Sequence, residues 1–87
     1  VGAKVNCSNG GYEVDFTGTQ VEDADLAYLK HIPHVRNVNL QGTRVSDAGM
    51  EHLLVIETLE FLYLQRSTVS RAKADELKKR LKAEVVY

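Results

Sequence analysis

Two acidic side chains stand close together early in this 87-residue chain, at Glu13 and Asp15. Residues two positions apart on a strand share a face, so the carboxylates come within the reach that paired acid/base groups need. Catalysis also requires a second acidic pair, a histidine or a hydroxyl nucleophile directed at the same point, and the pattern brings none there. We therefore predict an acidic rim and a chain that is not an enzyme, which leaves catalysis as the least supported alternative.

Three histidines raise the question of a metal site. His31 and His34 are separated by Pro33, and His52 belongs to a later segment, so only His31 and His52 could meet. A structural zinc site needs a full set of Cys, His or carboxylate ligands at matching depth. The single cysteine, Cys7, also excludes an intramolecular disulfide. The sequence therefore predicts no metal site and no cofactor.

Positive charge is concentrated near the C-terminus. Residues 71–82 hold six basic and two acidic side chains, a local charge of +4, in a chain of net charge -1. Such a run could contact phosphate, but it lacks interleaved aromatic residues and any nucleic-acid motif. We predict a solvated helix surface and no nucleic-acid partner, with an acidic partner as the alternative. No stretch of about 18 apolar residues is present, so we expect no membrane span.

The residues that position these side chains repeat every 24 positions. The first and second copies are Val14, Gly18, Thr19, Val21, Asp23, Ala24, Leu29, Ile32 and Val38, Gly42, Thr43, Val45, Asp47, Ala48, Leu53, Ile56. The weaker third copy is Leu62, Ser67, Val69, Ala72 and Leu77. A fixed period of roughly 20–29 residues with apolar residues in phase is typical of a solenoid.

Each unit begins with a strand pattern and continues with a helical one. Alternating apolar residues at 38–40 and 62–64 indicate half-buried strands. Asp23 and Asp47 precede helical segments and are predicted to be N-caps, a role that Ser70 takes in the third unit. Pro33 should end the first helix near residue 31. The apolar helix positions are Leu26 and Leu29, Met50 and Leu53, and Ala74, Leu77 and Leu81.

The N-terminal segment differs from the repeats. Asn9 and Gly10 form a strong signal for a two-residue hairpin turn. We predict that residues 3–7 form an edge strand that caps the sheet, and that residues 85–87 add a last short strand. Pairing around the turn places Val5 opposite Val14 and Cys7 opposite Tyr12. We expect all four side chains on the inward face.

The repeated motif resembles the leucine-rich repeat family, in its short type with T-x-V-[ST]-D-A-G-[LM] after the strand. Residues 43–50 fit it fully, residues 19–26 depart at Glu22 and Asp25, and the third unit has Arg71 and Lys73 for Asp and Gly. The resemblance implies an α/β fold: a short solenoid, a right-handed coil of strand and helix with a parallel sheet on its concave side. We expect one domain, 1–87, with a hairpin cap at 1–13, repeats at 14–37 and 38–61, and a C-terminal capping repeat at 62–87.

The same resemblance bears on the loops and on function. The family's loop Asn is replaced here by Thr19, Thr43 and Ser67, so we expect hydroxyl groups to bond the loop backbone instead. Members of the family mostly bind other proteins through the concave face, and few are enzymes. This implies a protein-interaction module without chemistry of its own. The alternative is a structural or assembly role, or a C-terminal capping domain of a larger leucine-rich repeat protein.

Outward-facing strand positions form columns across the predicted sheet: Glu13, Asn37 and Phe61; Asp15, Asn39 and Tyr63; Thr17, Gln41 and Gln65. The core does not need Phe61 and Tyr63, and aromatic residues are enriched at binding hot spots. Cover by the C-terminal cap or by a neighbouring domain is the alternative explanation. The predicted site for a protein partner consists of Phe61, Tyr63, Gln65, Arg66, Asn37 and Asn39.

Overall fold

The computed structural model describes residues 3–8 and 10–87, with only the backbone of Ser8. Within these residues five strands form one open sheet in the order β1-β2-β3-β4-β5. Strands β1 and β2 are antiparallel, and each later pair is parallel. The strands are β1 (Lys4–Ser8), β2 (Gly11–Asp15), β3 (Val35–Asn39), β4 (Phe61–Tyr63) and β5 (Glu84–Val86).

The strands are joined by helices of two kinds. Two 3-10 helices cover Asp23–His31 and Asp47–His52, and one α-helix, α1, covers Arg71–Arg80. The predicted end of the first helix at residue 31 is confirmed. In the first 3-10 helix the buried residues Leu26 and Leu29 lie three apart, and a helix with three residues per turn places them on one line. The structure is therefore a small mixed α/β fold.

The core is built from the repeated apolar positions. Three sets of residues at a spacing of 24 are buried: Val14, Val38 and Leu62; Val21, Val45 and Val69; Leu29, Leu53 and Leu77. The predicted helix positions Leu26, Met50 and Ala74 are buried as well, while Leu81 is only partly buried. The sequence period therefore gives the phase of the core correctly.

Most pairs in the parallel strands β2, β3 and β4 lie 24 positions apart; the exception is Tyr12 beside Val35, 23 positions apart, before a register shift between Tyr12 and Glu13. At the β4–β5 junction the spacing shortens to 23, since Phe61 lies beside Glu84. Between β2 and β3 the neighbouring pairs at the spacing of 24 are Glu13 with Asn37, Val14 with Val38 and Asp15 with Asn39. Between β3 and β4 they are Asn37 with Phe61, Val38 with Leu62 and Asn39 with Tyr63.

The N-terminal hairpin has the predicted register but not the predicted burial. Val5 lies opposite Val14 and Cys7 opposite Tyr12, as expected. However, Val5 is 51% exposed and Cys7 is exposed, so the register puts them on the same face as Val14 but they are not buried in the core. The reason is that β1 is the edge strand, with β2 as its main neighbour. Of the predicted turn, Asn9 lies outside the described residues.

Asp23 and Asp47 are not N-caps, contrary to prediction. The cap positions are Glu22 and Ser46, and each aspartate is the first helical residue. The Asp23 carboxylate instead accepts hydrogen bonds from the Ser46 N–H, at 2.7 Å, and from the Ser46 hydroxyl of the next unit. An aspartate one position inside the helix has its carboxylate beside the following unit, so it joins units rather than satisfying its own first turn.

The second aspartate repeats this arrangement one unit later. Asp47 accepts hydrogen bonds from the N–H and the hydroxyl of Ser70, at 2.7 and 2.8 Å. Ser70 in turn caps α1, because its hydroxyl accepts the Lys73 N–H at 3.1 Å, and the predicted cap is confirmed there. These two Asp–Ser contacts, Asp23 with Ser46 and Asp47 with Ser70, are called the Asp–Ser junctions below.

The loop hydroxyl groups bond the backbone as expected. Each donates to the carbonyl three residues earlier, so the bonds lie within a unit rather than between units. Thr43 is buried, with 3% of its surface exposed, so this bond satisfies a polar group inside the core. The bonds are Thr19 Oγ1 to Phe16 O at 2.7 Å, Thr43 Oγ1 to Leu40 O at 2.8 Å and Ser67 Oγ to Leu64 O at 2.7 Å.

Candidate functional site

The sheet has one face turned away from the core, and the predicted columns lie on it. Two rows of side chains cross the five strands there. The first row is Asn6, Glu13, Asn37, Phe61 and Glu84, and the second is Lys4, Asp15, Asn39, Tyr63 and Val86. These rows, with Gln41 and Gln65 beyond them, are called the outer sheet face.

The most distinctive feature of this face is an aromatic pair. The Phe61 and Tyr63 rings are stacked, with centroids 6.4 Å apart and an angle of 8° between their planes. Leu62 between them is fully buried, so the two rings stand on the opposite side of β4 from the core. Both rings are half-buried. The stacking preorganises a flat apolar surface, which matches what binding anchors require.

Amide side chains continue the face beside the rings. The Asn39 side-chain oxygen accepts the Gln41 N–H at 3.1 Å, which orients the amide at the end of β3. Gln41 Nε2 donates to Gln65 Oε1 at 3.1 Å, which links two neighbouring units. Asn37 lies between Glu13 and Phe61 in the first row. The structure therefore brings Asn37, Asn39 and Gln65 to the same face as the rings.

Arg66 lies at the rim of the outer sheet face. It is exposed and has φ +58, while the equivalent positions in the earlier units are Gly18 and Gly42, with φ +69 and +67. A side chain in this left-handed region is unfavourable, so Arg66 departs from the local preference of the turn. A small hollow of about 200 Å³ is lined by Thr17, Gly18, Gln41, Gly42 and Arg66.

One carboxylate at the acidic end of the outer sheet face, that of Asp15, is held by hydrogen bonds within the chain. Asp15 accepts hydrogen bonds from the Thr17 hydroxyl and, at 2.9 Å, from the Thr17 N–H, and these bonds lower the pKa of Asp15. Nearby, Arg36 Nε lies 2.8 Å from Glu60 Oε2, and this pair raises the pKa of Arg36, with a smaller contribution from Glu13. At this end of the face, Asp15 is bonded by Thr17 and Glu13 lies within the influence of Arg36.

The histidines stand away from this face, at the end of the first 3-10 helix, in the loop before β3 and at the end of the second 3-10 helix. In the chain outside residues 1, 2 and 9, no three His, Cys, Asp or Glu side chains are placed to hold a metal ion. Over the same residues, no helix has the length and apolar character needed to cross a membrane.

Part of the basic run on α1 is used internally. Lys73 Nζ lies 3.3 Å from Glu76 and 3.7 Å from Glu51, and Arg80 lies 2.9 Å from Glu76. The hydrogen bonds from Arg80 and Lys73 lower the pKa of Glu76. These ion pairs reduce the positive charge that α1 presents to a partner.

Sequence reasoning missed the contribution of β5 to the site. Extending the period of 24 from Phe61 places Val85 in the first row, whereas the structure places Glu84 there and buries Val85. The connection before β5 contains the α-helix α1, whereas the two earlier ones contain 3-10 helices. No signal in the three columns could have indicated this shift.

Comparison of the chain with protein-family models, with curated proteins and with solved structures finds no match. The functional argument therefore rests on the residues of the outer sheet face and on their geometry.

Proposed function

We propose that this chain is a short leucine-rich repeat solenoid that binds a partner protein through its outer sheet face. The solenoid is supported by contacts that recur at the sequence period. Gln41 bonds Gln65, and Arg36 bonds Glu60, in each case across 24 positions. The Asp–Ser junctions add bonds across 23 positions. In a repeat fold each unit is stabilised by its neighbours, as these contacts require.

The observation that carries the binding function is the stacked aromatic pair. Phe61 and Tyr63 stand outside the core, parallel and half-buried, with amide groups along the neighbouring strand. Aromatic residues are enriched in the cores of protein interfaces, where amides at the edge supply hydrogen bonds. A module that binds through such a surface needs no cofactor and no catalytic group.

A structural or assembly role is the second candidate, and the N-terminal edge favours it. Val5 is 51% exposed and Cys7 is exposed on β1, although both lie opposite inward-facing residues of β2. An edge strand with unpaired backbone groups and exposed apolar side chains is a surface on which further protein can pack. In that case the chain serves as one part of a longer array.

The test compares two aromatic substitutions with a matched control. Phe61→Ala with Tyr63→Ala removes the stacked pair, while Tyr28→Ala removes a tyrosine that is 71% exposed on the first 3-10 helix. Proteins captured by the wild-type chain and by each variant are quantified by mass spectrometry at equal folded fraction. We expect the Tyr28 variant to keep the captured proteins and the double variant to lose them.

Stability measurements separate binding from internal packing. The double variant should lose the stacking contribution of about 0.5–1.5 kcal/mol, together with the contribution of the half-buried part of the two rings. Charge reversal on α1, Lys78→Glu with Lys79→Glu, should change capture much less. If the double variant keeps the captured proteins, or unfolds at a far lower temperature, the outer sheet face is not the binding site.

A further inference from the structure

The aromatic pair lies between carboxylates. In the first row Glu84 is on the strand next to Phe61, and Glu13 is two strands away on the other side. With neighbouring strands about 4.8 Å apart, the backbone positions of these acidic residues lie about 5 Å and about 10 Å from that of Phe61. An apolar platform is thus framed on both sides by negative charge.

The charge balance of the two rows is negative. Their ten residues include three carboxylates, Glu13, Asp15 and Glu84, and one amine, Lys4, which gives -2. Lys4 lies opposite Asp15 at the edge of the sheet, and its charge helps to lower the pKa of that carboxyl group. Glu84 is exposed. Arg66 is exposed at the rim and Arg36 interacts with Glu13, so these two cations offset part of the charge, and the negative charge beside the rings is centred on Glu84. A ligand approaching the rings from that side meets a surface that favours cations.

We infer that the partner of this face is a polypeptide segment in which lysine or arginine flanks an apolar or aromatic side chain. This inference rests on the proposed function and specifies its partner. The apolar side chain packs on Phe61 and Tyr63, while the basic groups reach Glu84 and Glu13. The aliphatic part of a lysine or arginine also packs on aromatic rings, and its charge is attracted to their faces. An acidic segment or a nucleic-acid backbone would be repelled by the same carboxylates.

The strand spacing predicts where the basic residues fall in such a segment. An extended chain crossing the strands advances about 3.3 Å per residue. A distance of about 5 Å corresponds to one or two residues, and about 10 Å to three. Only side chains an even number of positions apart share a face of an extended chain. We therefore expect a basic residue two positions from the apolar anchor on one side, and another two or four positions away on the other side.

A displayed library of random peptides tests this inference on the 87-residue chain itself. Peptides are first selected for binding to the wild-type chain. Those that also bind the variant with Phe61→Ala and Tyr63→Ala are then removed, so that the retained peptides are the ones that need the rings. We expect the retained peptides to be enriched in lysine and arginine at the stated spacing. If they are neutral or acidic, this inference fails while the proposed binding face stands. If no peptide remains after the depletion, no binder needs the rings, and the proposed function fails as well.

Synthetic versions of the selected peptides then test directly whether Glu13 and Glu84 contribute to binding. Glu13→Gln with Glu84→Gln should weaken their binding about three- to tenfold at low salt, because each exposed ion pair contributes little singly. The loss should shrink in high salt, where these charges are screened. The matched control is Glu57→Gln with Asp75→Asn, two exposed acidic residues away from the sheet. An equal loss in the control, or none in the test variant, contradicts the inference.

Discussion

Replacing Asp23 by alanine removes one Asp–Ser junction without touching the core. The carboxylate accepts the Ser46 N–H at 2.7 Å and the Ser46 hydroxyl, and both residues are partly buried. It also lies against buried Gly49, where an added Cβ would come within 2.5 Å of Asp23 Oδ1. The carboxylate therefore fills a space that only glycine leaves open, and its loss affects both bonding and packing.

The expected loss follows from these contacts. A hydrogen bond to a charged group contributes about 1.5–3 kcal/mol, and the hydroxyl of Ser46 can turn to water once its acceptor is gone. The Ser46 N–H cannot turn, so most of the penalty comes from that group. We expect Asp23→Ala to lower the free energy of unfolding by about 2–3 kcal/mol. For a domain of this size that is a fall in melting temperature of roughly 10–20 °C.

Urea unfolding followed by circular dichroism measures this loss. Asp23→Asn is the control, because its amide oxygen can still accept the Ser46 N–H, and it should lose less than Asp23→Ala. Combining Asp23→Ala with Ser46→Ala isolates the hydroxyl bond, for which we expect a coupling of about 1 kcal/mol. If Asp23→Ala loses less than about 0.5 kcal/mol and the coupling is zero, the junction does not stabilise the fold.

Three further outcomes are expected. Leu53→Ala should lower the free energy of unfolding by about 2–5 kcal/mol in urea melts, because Leu53 is fully buried at the centre of the repeats; a loss under about 0.5 kcal/mol would contradict the assigned core. The bonds from Ser70 hold the pKa of Asp47 below its usual 3.8, so stability is full above that pH and falls as the pH drops through the lowered pKa. Asp47→Asn should flatten this dependence in acid titrations, and an unchanged slope would exclude Asp47 as its source. Gly42→Ala should destabilise through its φ of +67 although the space around it is open, and an unchanged melting temperature would refute the strain.

Much of the fold could be predicted because the chain repeats. A period of 24 fixes which residues lie side by side in parallel strands, and so places Val14, Val38 and Leu62 on one face and Glu13 and Asn37 on the other. The hairpin register was equally predictable, since a two-residue turn leaves one pairing. These features depend on the spacing of residues along the chain, which can be read directly from the sequence.

Features that depend on a neighbour in space were predicted less well. The capping rule considers only a residue's own helix, whereas the partner of Asp23 is Ser46 in the next unit. Alternation predicts which way Val5 points, but it cannot tell that the edge strand lacks cover. The apolar pairs spaced by three are compatible with an α-helix or a 3-10 helix, so the sequence pattern could not distinguish the 3-10 form that the structure has.

The Asp–Ser junctions are directional, because in each one a serine donates to an aspartate of the preceding repeat. The middle unit carries both halves in adjacent residues: Ser46 donates to the preceding unit, and Asp47 accepts from the following one. The first unit has Glu22 before its aspartate, and the third has Arg71 after Ser70. A tandem copy of residues 38–61 would therefore bring its own donor and its own acceptor, and each new boundary would form the existing bonds. Duplication alone could therefore lengthen the outer sheet face by whole strands, because each added boundary would reuse the existing Asp–Ser bonds.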